Sequence, residues 1–170
     1  MSLTDTIVAD ASPLIIAAHI GMLEHLPAIL GNVTIPPIVA EECTKTNKSG
    51  AKLIANAIND NILTISHNTQ HEFLSRIPYG IDSGEAEAIA LALNLKARLL
   101  IDDKKGRKIA KHEGLGIFDF GVVLVKAKRA GVINAVLPIL QHIDRLQYRI
   151  SEQVTTEILT ICGETIRNRE

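Results

Sequence analysis

Two rhythms of apolar and polar residues alternate along the chain. Thr6-Ile7-Val8-Ala9, Val33-Thr34-Ile35, Ile62 to Ile65, Ala97-Arg98-Leu99-Leu100-Ile101 and Leu115 to Phe118 are short apolar runs bounded by turn residues or charges. Runs of this length without strict alternation predict strands covered on both faces. Between them lie stretches of helical period: Pro13 to Ile20, Met22 to Leu30 after the break at Gly21, a helix opened by Pro36-Pro37, Ala51 to Asp60, Glu85 to Leu93 and Lys104 to His112. Ser12 and Pro13 supply a predicted N-cap and first helical position for the earliest of these. The pattern weakens from Ser66 to Pro78, where only a short helix or loop around Thr69 to Ser75 is expected. Helices at about Phe120 to Ala130, Asn134 to Leu146 and Ser151 to Cys162 close the chain. Their apolar stripe, including Val122, Val125, Ile133, Val136, Leu137 and Leu140, reads as core. Strands alternating with helices predict a single α/β domain over residues 1–162 with a mainly parallel sheet, followed by a frayed polar tail at 163–170.

Composition narrows the partners more than the fold. The 170 residues are 46% hydrophobic and 22% charged, enough for one aliphatic core and incompatible with a disordered chain. With no Trp, two Tyr and three Phe, an aromatic platform for stacking bases is not expected. A net charge of -1 exerts no global pull on nucleic acid, so any such contact must rest on a local basic patch. Cys43 and Cys162 are too few and too isolated for a disulfide framework or a zinc knuckle. No apolar run has the length of a membrane span, and the start of the chain lacks a basic segment followed by an apolar one. A soluble, cytoplasmic protein with no membrane partner is the expectation, with Met1-Ser2-Leu3 left out of account.

The chemistry lies at the ends of the predicted strands. Asp10 ends the first run, Glu42 sits in the helix after the second, Glu85 opens the Ala-rich helix, and Asp102-Asp103 ends the fourth run. In an open parallel sheet the carboxyl ends of the strands form the ligand-binding edge, so Asp10, Glu42, Glu85 and Asp103 converge there. Hard cations such as Mg²⁺ or Mn²⁺ take oxygen ligands, and carboxylates from several elements suit them. With such ions the cluster could activate water for phosphodiester hydrolysis. Each acid also has a plainer reading. Asp10 could bond backbone amides, and Glu42 could be solvated with Glu41 as its decoy. Glu85 falls at N3 of a helix capped by Asp82, and Asp103 could cap the helix that follows it, with Asp102 as alternate.

These residues also carry a resemblance. Asp10-Ala-Ser12 after a strand, Val39-Ala-Glu-Glu42, Gly84-Glu85-Ala86-Glu87 and the following Ala-rich helix, and Asp102-Asp103-Lys-Lys-Gly-Arg107 resemble the PIN-domain nucleases in motif order over roughly residues 6 to 130. The likeness is closest to a prokaryotic, VapC-toxin-like branch with Gly-Glu-Ala-Glu and Asp-Asp-x-x-Gly-Arg signatures. It implies a three-layer α/β/α fold with a four- or five-stranded sheet. It further implies a Mg²⁺- or Mn²⁺-dependent ribonuclease acting on single-stranded RNA, with an antitoxin protein and a homodimer as associations. The implied metal ligands are Asp10, Glu42, Glu85 and Asp103, with Asp102 as a further candidate and Ser12 as a supporting polar group. Two positions depart from the family: Glu85 stands where Asp is commoner, and Ile101 where a Ser or Thr is usual.

Beside these acids, Lys104, Lys105, Arg107, Lys108 and Lys111 crowd one helix. Lys104, Lys108 and Lys111 share a face that could meet the phosphates of an entering strand, Arg107 is the favoured substrate or structural contact, and the plain reading is a solvated surface. His67 and His71 are spaced to share a helical face, without an evident third ligand. A catalytically weak PIN-like module that holds a partner is the alternative, which the departure at Ile101 allows. A phosphoryl-accepting domain with Asp10 as nucleophile is a third reading, weakened by Ser12 standing where a second acid would be needed.

Overall fold

A computed structural model describes residues 5–166, so Met1-Ser2-Leu3 and the last residues of the polar tail lie outside the described residues. It divides into two compact units, the first ending at Phe120 and the second beginning at Gly121.

The first unit is built on an all-parallel sheet of five strands among the described residues: β1 (Thr6–Ala9), β2 (Asn32–Ile35), β3 (Leu63–Ile65), β4 (Arg98–Leu100) and β5 (Ile117–Phe118), in the order β3-β2-β1-β4-β5. β1 is central, with Val8 opposite Thr34 on one side and Leu99 on the other. Its apolar run is continuous because both faces are covered, and Ile7, Val8 and Ala9 are all buried. Helices α1 (Ala11–His19), α2 (Leu26–Leu30), α3 (Pro37–Thr44) and α4 (Ala51–Asn59) connect the strands running outward from β1 to β3. The chain then returns across the sheet through α5 (Ser83–Leu95) to β4, and through α6 (Lys104–His112) to β5. Right-handed crossovers that reverse direction place the two sets of helices on opposite faces, which is the three-layer α/β/α arrangement. The direction reverses between β1 and β4, and this is the crevice where such sheets bind ligands.

Local sequence explains the elements that frame that crevice. α5 starts with a capping box: the Asp82 carboxylate accepts from Glu85 N at 2.8 Å, and the Glu85 carboxylate accepts from Asp82 N at 2.9 Å. Ala86, Ala88, Ile89, Ala90, Leu91 and Ala92 are all buried, so small side chains let α5 lie close on β1 and β4. α1 begins two residues earlier than its proline suggests. Asp10, not Ser12, is its N-cap residue, and Ser12 lies inside the first turn. The weak stretch after β3 holds a 3₁₀ turn at Glu72–Arg76, capped by His71 Nδ1, which accepts from Phe73 N at 3.0 Å. That hydrogen bond and the non-helical backbone before it remove the shared helical face expected of His67 and His71.

In the second unit, α8 (Leu137–Arg145) and α9 (Glu152–Ile161) follow α7 (Phe120–Arg129), which straddles the boundary. The buried face of α7 carries Val123, Leu124 and Ala127, one position off the expected stripe, leaving Val122 and Val125 half-buried. Glu164, which the sequence places in the frayed tail, is firmly held. One carboxylate oxygen accepts from Lys128 Nζ at 2.6 Å and from Val136 N at 2.8 Å, and the other accepts from Leu137 N at 2.9 Å. Burial raises the Glu164 pKa, but Lys128 and the two amides outweigh it and leave the group below its ordinary value. A carboxylate thus caps the start of α8 from outside the helix. Glu164→Ala leaves an ammonium and two amides without that partner and is expected to cost about 1–3 kcal/mol in urea unfolding. Loss of less than about 0.5 kcal/mol would mean that water replaces the clamp.

Candidate functional site

Asp10 is the centre of the crevice. It follows β1, its N–H donates to Leu100 O at 3.0 Å, and it is 5% exposed. Burial pushes its pKa up to about 7; the Ala11 amide pulls it down, and the charges of Glu85, Asp82 and Glu42 push it up further. The carboxylate is therefore buried and feels the charges of three other acids.

Glu42 and Glu85 come to Asp10 from different layers. Glu42 lies in the second turn of α3, half-buried, whereas Glu41 is exposed. A Cβ added to Gly84 would stand 3.1 Å from Glu42 Oε2 and 3.3 Å from Asp82 Oδ1, so the absence of a side chain there lets the two carboxylates approach the start of α5. Glu85 is 9% exposed, and its pKa is raised by burial first; the Asp82 amide lowers it, and Asp82, Asp103 and Glu42 raise it. Asp82, which the sequence marked only as a helix cap, is thus a fifth acid in the same field. Its signal was its position three residues before Glu85.

The end of β4 supplies the rest. Asp103 is exposed and is the N-cap of α6, its Oδ2 accepting from Gly106 N at 2.7 Å. Its charge is felt at Glu85. Asp102 Oδ1 accepts from Phe120 N at 2.9 Å, tying the end of β4 to the first residue of α7. Ile101 is fully buried, its side chain packed against α6 at Gly106. Ser12 is half-buried within α1 next to Asp10. Lys104 and Lys108 are exposed and Arg107 is half-buried on α6, directly after Asp103.

The donor set fits a hard divalent cation. The acids gathered here offer only carboxylate oxygens, and a soft donor in their field, the buried Cys43 thiol, has its pKa pushed up to about 12 by burial and by Glu42 and Asp10. That thiol stays protonated at neutral pH and does not compete as a soft ligand. As oriented, no three His, Cys, Asp or Glu side chains among the described residues stand close enough together to enclose a metal ion. Two of the acids are turned onto backbone amides, Glu85 onto Asp82 N and Asp103 onto Gly106 N.

A parallel sheet that reverses beside β1, with buried acids at the reversal, defines an α/β domain with an oxygen-donor site. A family profile described as a PIN domain (DUF3368) matches residues 6–164, and the chain belongs to the PIN-domain family. No curated protein matches the chain. PIN domains are typically nucleases that use divalent metals, so the family gives a hydrolytic, nuclease-type function in general terms. Among the described residues no single helix is long and apolar enough to cross a membrane.

Proposed function

We propose that this protein is a Mg²⁺- or Mn²⁺-dependent endoribonuclease that cleaves single-stranded RNA at the carboxylate crevice. The observation that carries the reading is Asp10: a buried acid whose proton affinity is raised by burial and by Glu85, Asp82 and Glu42 is a group that a divalent cation would relieve. Asp10, Glu42, Glu85 and Asp103 would hold the ion. Asp102 has one oxygen engaged by Phe120 N and so has less freedom to join them. A bound ion would supply Lewis-acid activation of water and charge stabilisation at the leaving oxygen.

The remaining work belongs to the chain's own groups. Asp82 holds Glu85 in place through their reciprocal carboxylate-to-amide hydrogen bonds, which makes it a positioning residue. Lys104, Arg107 and Lys108 follow Asp103 on α6 and would take the phosphates of an RNA strand whose scissile group lies over the acids. Ser12, in the first turn of α1, would offer a hydroxyl at the same edge. The family resemblance supports a finer reading as the toxin of a toxin–antitoxin pair, acting as a cytoplasmic homodimer and restrained by an antitoxin protein. Inhibition of cleavage by the product of an adjoining short reading frame would test that part.

The test of the activity is an end-labelled single-stranded RNA incubated with Mn²⁺, with EDTA, and with EDTA followed by excess Mn²⁺. Cutting that falls at least about a hundredfold on chelation and returns with metal is expected. No cutting in Mn²⁺ or Mg²⁺, with no heat of Mn²⁺ binding by calorimetry, would sink it. That outcome would favour the second reading, a weak PIN-like module that holds a partner. The hydrogen bonds that Glu85 and Asp103 already accept from backbone amides are the observation in its favour.

A further inference from the structure

The chain spends one of its two tyrosines where no core can use it. Tyr79 is 96% exposed, in the loop that leads into Asp82 and α5. Lys105 Nζ lies over its ring, 5.1 Å from the centroid. Between Tyr79 and the helix, Gly80 has φ +92°, and a Cβ there would run into Lys105 Nζ, so the loop is seated directly on the lysine. Among the described residues no carboxylate forms an ion pair with Lys105. Tyr79 is three residues before Asp82, and Lys105 is two residues after Asp103. The pair therefore links the two acid-bearing helix starts, with the Cα of Tyr79 no more than ~10 Å from that of Asp82 by chain reach.

An exposed ring with a cation over one face and solvent on the other has the parts of a nucleotide subsite. A base stacks on an aromatic face whatever its identity, and an ammonium beside it meets the phosphate. Placed at the rim of an acidic crevice, such a pair also supplies the positive charge that keeps a polyanion at a site its own carboxylates would repel. We propose that Tyr79 stacks the base of a nucleotide next to the scissile phosphate while Lys105 pairs with that nucleotide's phosphate. This rests on the reading of the crevice as an RNA cleavage site and adds the contact that fixes the strand across it. A stacking contact tolerates every base, so the subsite sets the path of the strand and not its sequence. The scarcity of aromatic residues argued against a stacking platform in bulk, and here one residue suffices because of its position.

The experiment uses the full chain and two readouts. Steady-state cleavage of a single-stranded RNA oligomer is measured for the wild type, Tyr79→Ala, Tyr79→Phe and Lys105→Ala. Removing the ring is expected to raise KM about tenfold, the size of effect a single stacking aromatic has, with kcat moving less than about twofold and phenylalanine restoring KM. Lys105→Ala is expected to raise KM severalfold and to flatten its dependence on salt. Separately, Tyr79→Trp introduces the only indole into a chain without tryptophan. Its emission should be quenched by the oligomer and much less by the same oligomer carrying abasic positions. Cleavage with unchanged KM in Tyr79→Ala, or equal losses in the Ala and Phe variants, would overturn the stacking role and leave the nuclease reading in place. Base-dependent quenching without any cleavage would uphold the subsite and remove the nuclease. Absence of both cutting and quenching overturns both.

Discussion

Asp10→Asn is expected to lower metal-dependent RNA cleavage by at least about a hundredfold, ~3 kcal/mol of transition-state stabilisation, while making the metal-free protein more stable at neutral pH. The two effects have one cause. Asn keeps the shape of the side chain but removes the charge that would hold the ion, and the same charge is costly to bury among other acids. The folded-state pKa of Asp10 is about 7, against an ordinary value of 3.8. Between those two values the folded chain binds a proton that the unfolded chain releases. Stability from this group is therefore complete at low pH, declines as pH rises, and is lost once pH passes about 7.

The size of the effect follows from the shift. At about 1.4 kcal/mol per pKa unit, the upper bound on the penalty is about 4 kcal/mol above neutrality. The asparagine amide must itself be buried, so a net gain of ~1–3 kcal/mol is a fair expectation, or a Tm higher by roughly 2–12 °C. The measurement is thermal unfolding in EDTA at about pH 5 and about pH 8, where the variant's advantage should grow with pH. Excess Mn²⁺ should then stabilise the wild type by about 2.7 kcal/mol at a hundred times its Kd and leave the variant unmoved. A variant that is less stable than the wild type at high pH, or that still cuts, would show that Asp10 is a structural acid of the strand end.

The same residue shows what sequence can and cannot convey. An apolar run ending on a carboxylate placed Asp10 after a buried strand, because burial on both faces writes itself into composition. The capping box of Asp82 and Glu85 was equally readable, since it depends on residues three apart. What failed was the assumption that Ser12 with Pro13 fixes the helix start. Asp10 serves as N-cap residue by backbone conformation and makes no side-chain cap bond. The repulsion among Asp10, Glu42, Asp82 and Glu85 is tertiary, created where the sheet reverses between β1 and β4; the strand-end pattern points Asp10, Glu42 and Glu85 to that edge, and leaves Asp82 out. The one-position shift on α7 has a related origin: Val122 to Val125 is apolar throughout, so periodicity leaves the register open and packing decides it. Tyr79 was hidden for the opposite reason. A composition describes the average surface, and a single exposed ring beside two helix starts is a matter of place.

The departure at Ile101 leads to the second large effect, which concerns how the end of β4 is built. A Cβ on Gly106 would lie 2.6 Å from Ile101 Cδ1 and 3.5 Å from Cγ1. Ile101 is fully buried, so its terminal methyl has no room to retreat. In an open helical position Gly→Ala gains about 1 kcal/mol from helix propensity. Here the clash should outweigh that gain, and Gly106→Ala is expected to destabilise the protein by about 1–3 kcal/mol. Ile101→Val removes the offending methyl at a cost of about 0.5–1.5 kcal/mol. In that background Gly106→Ala should turn neutral or stabilising, a coupling of at least ~1 kcal/mol read from urea unfolding of the four proteins. Because Gly106 N also holds the Asp103 carboxylate at 2.7 Å, Gly106→Ala alone should slow cleavage as well, and Ile101→Val should recover part of the rate. Additive stabilities would mean that α6 shifts freely on the sheet, and Asp103 would then owe its position to the strand end and not to the packing of Ile101 against Gly106.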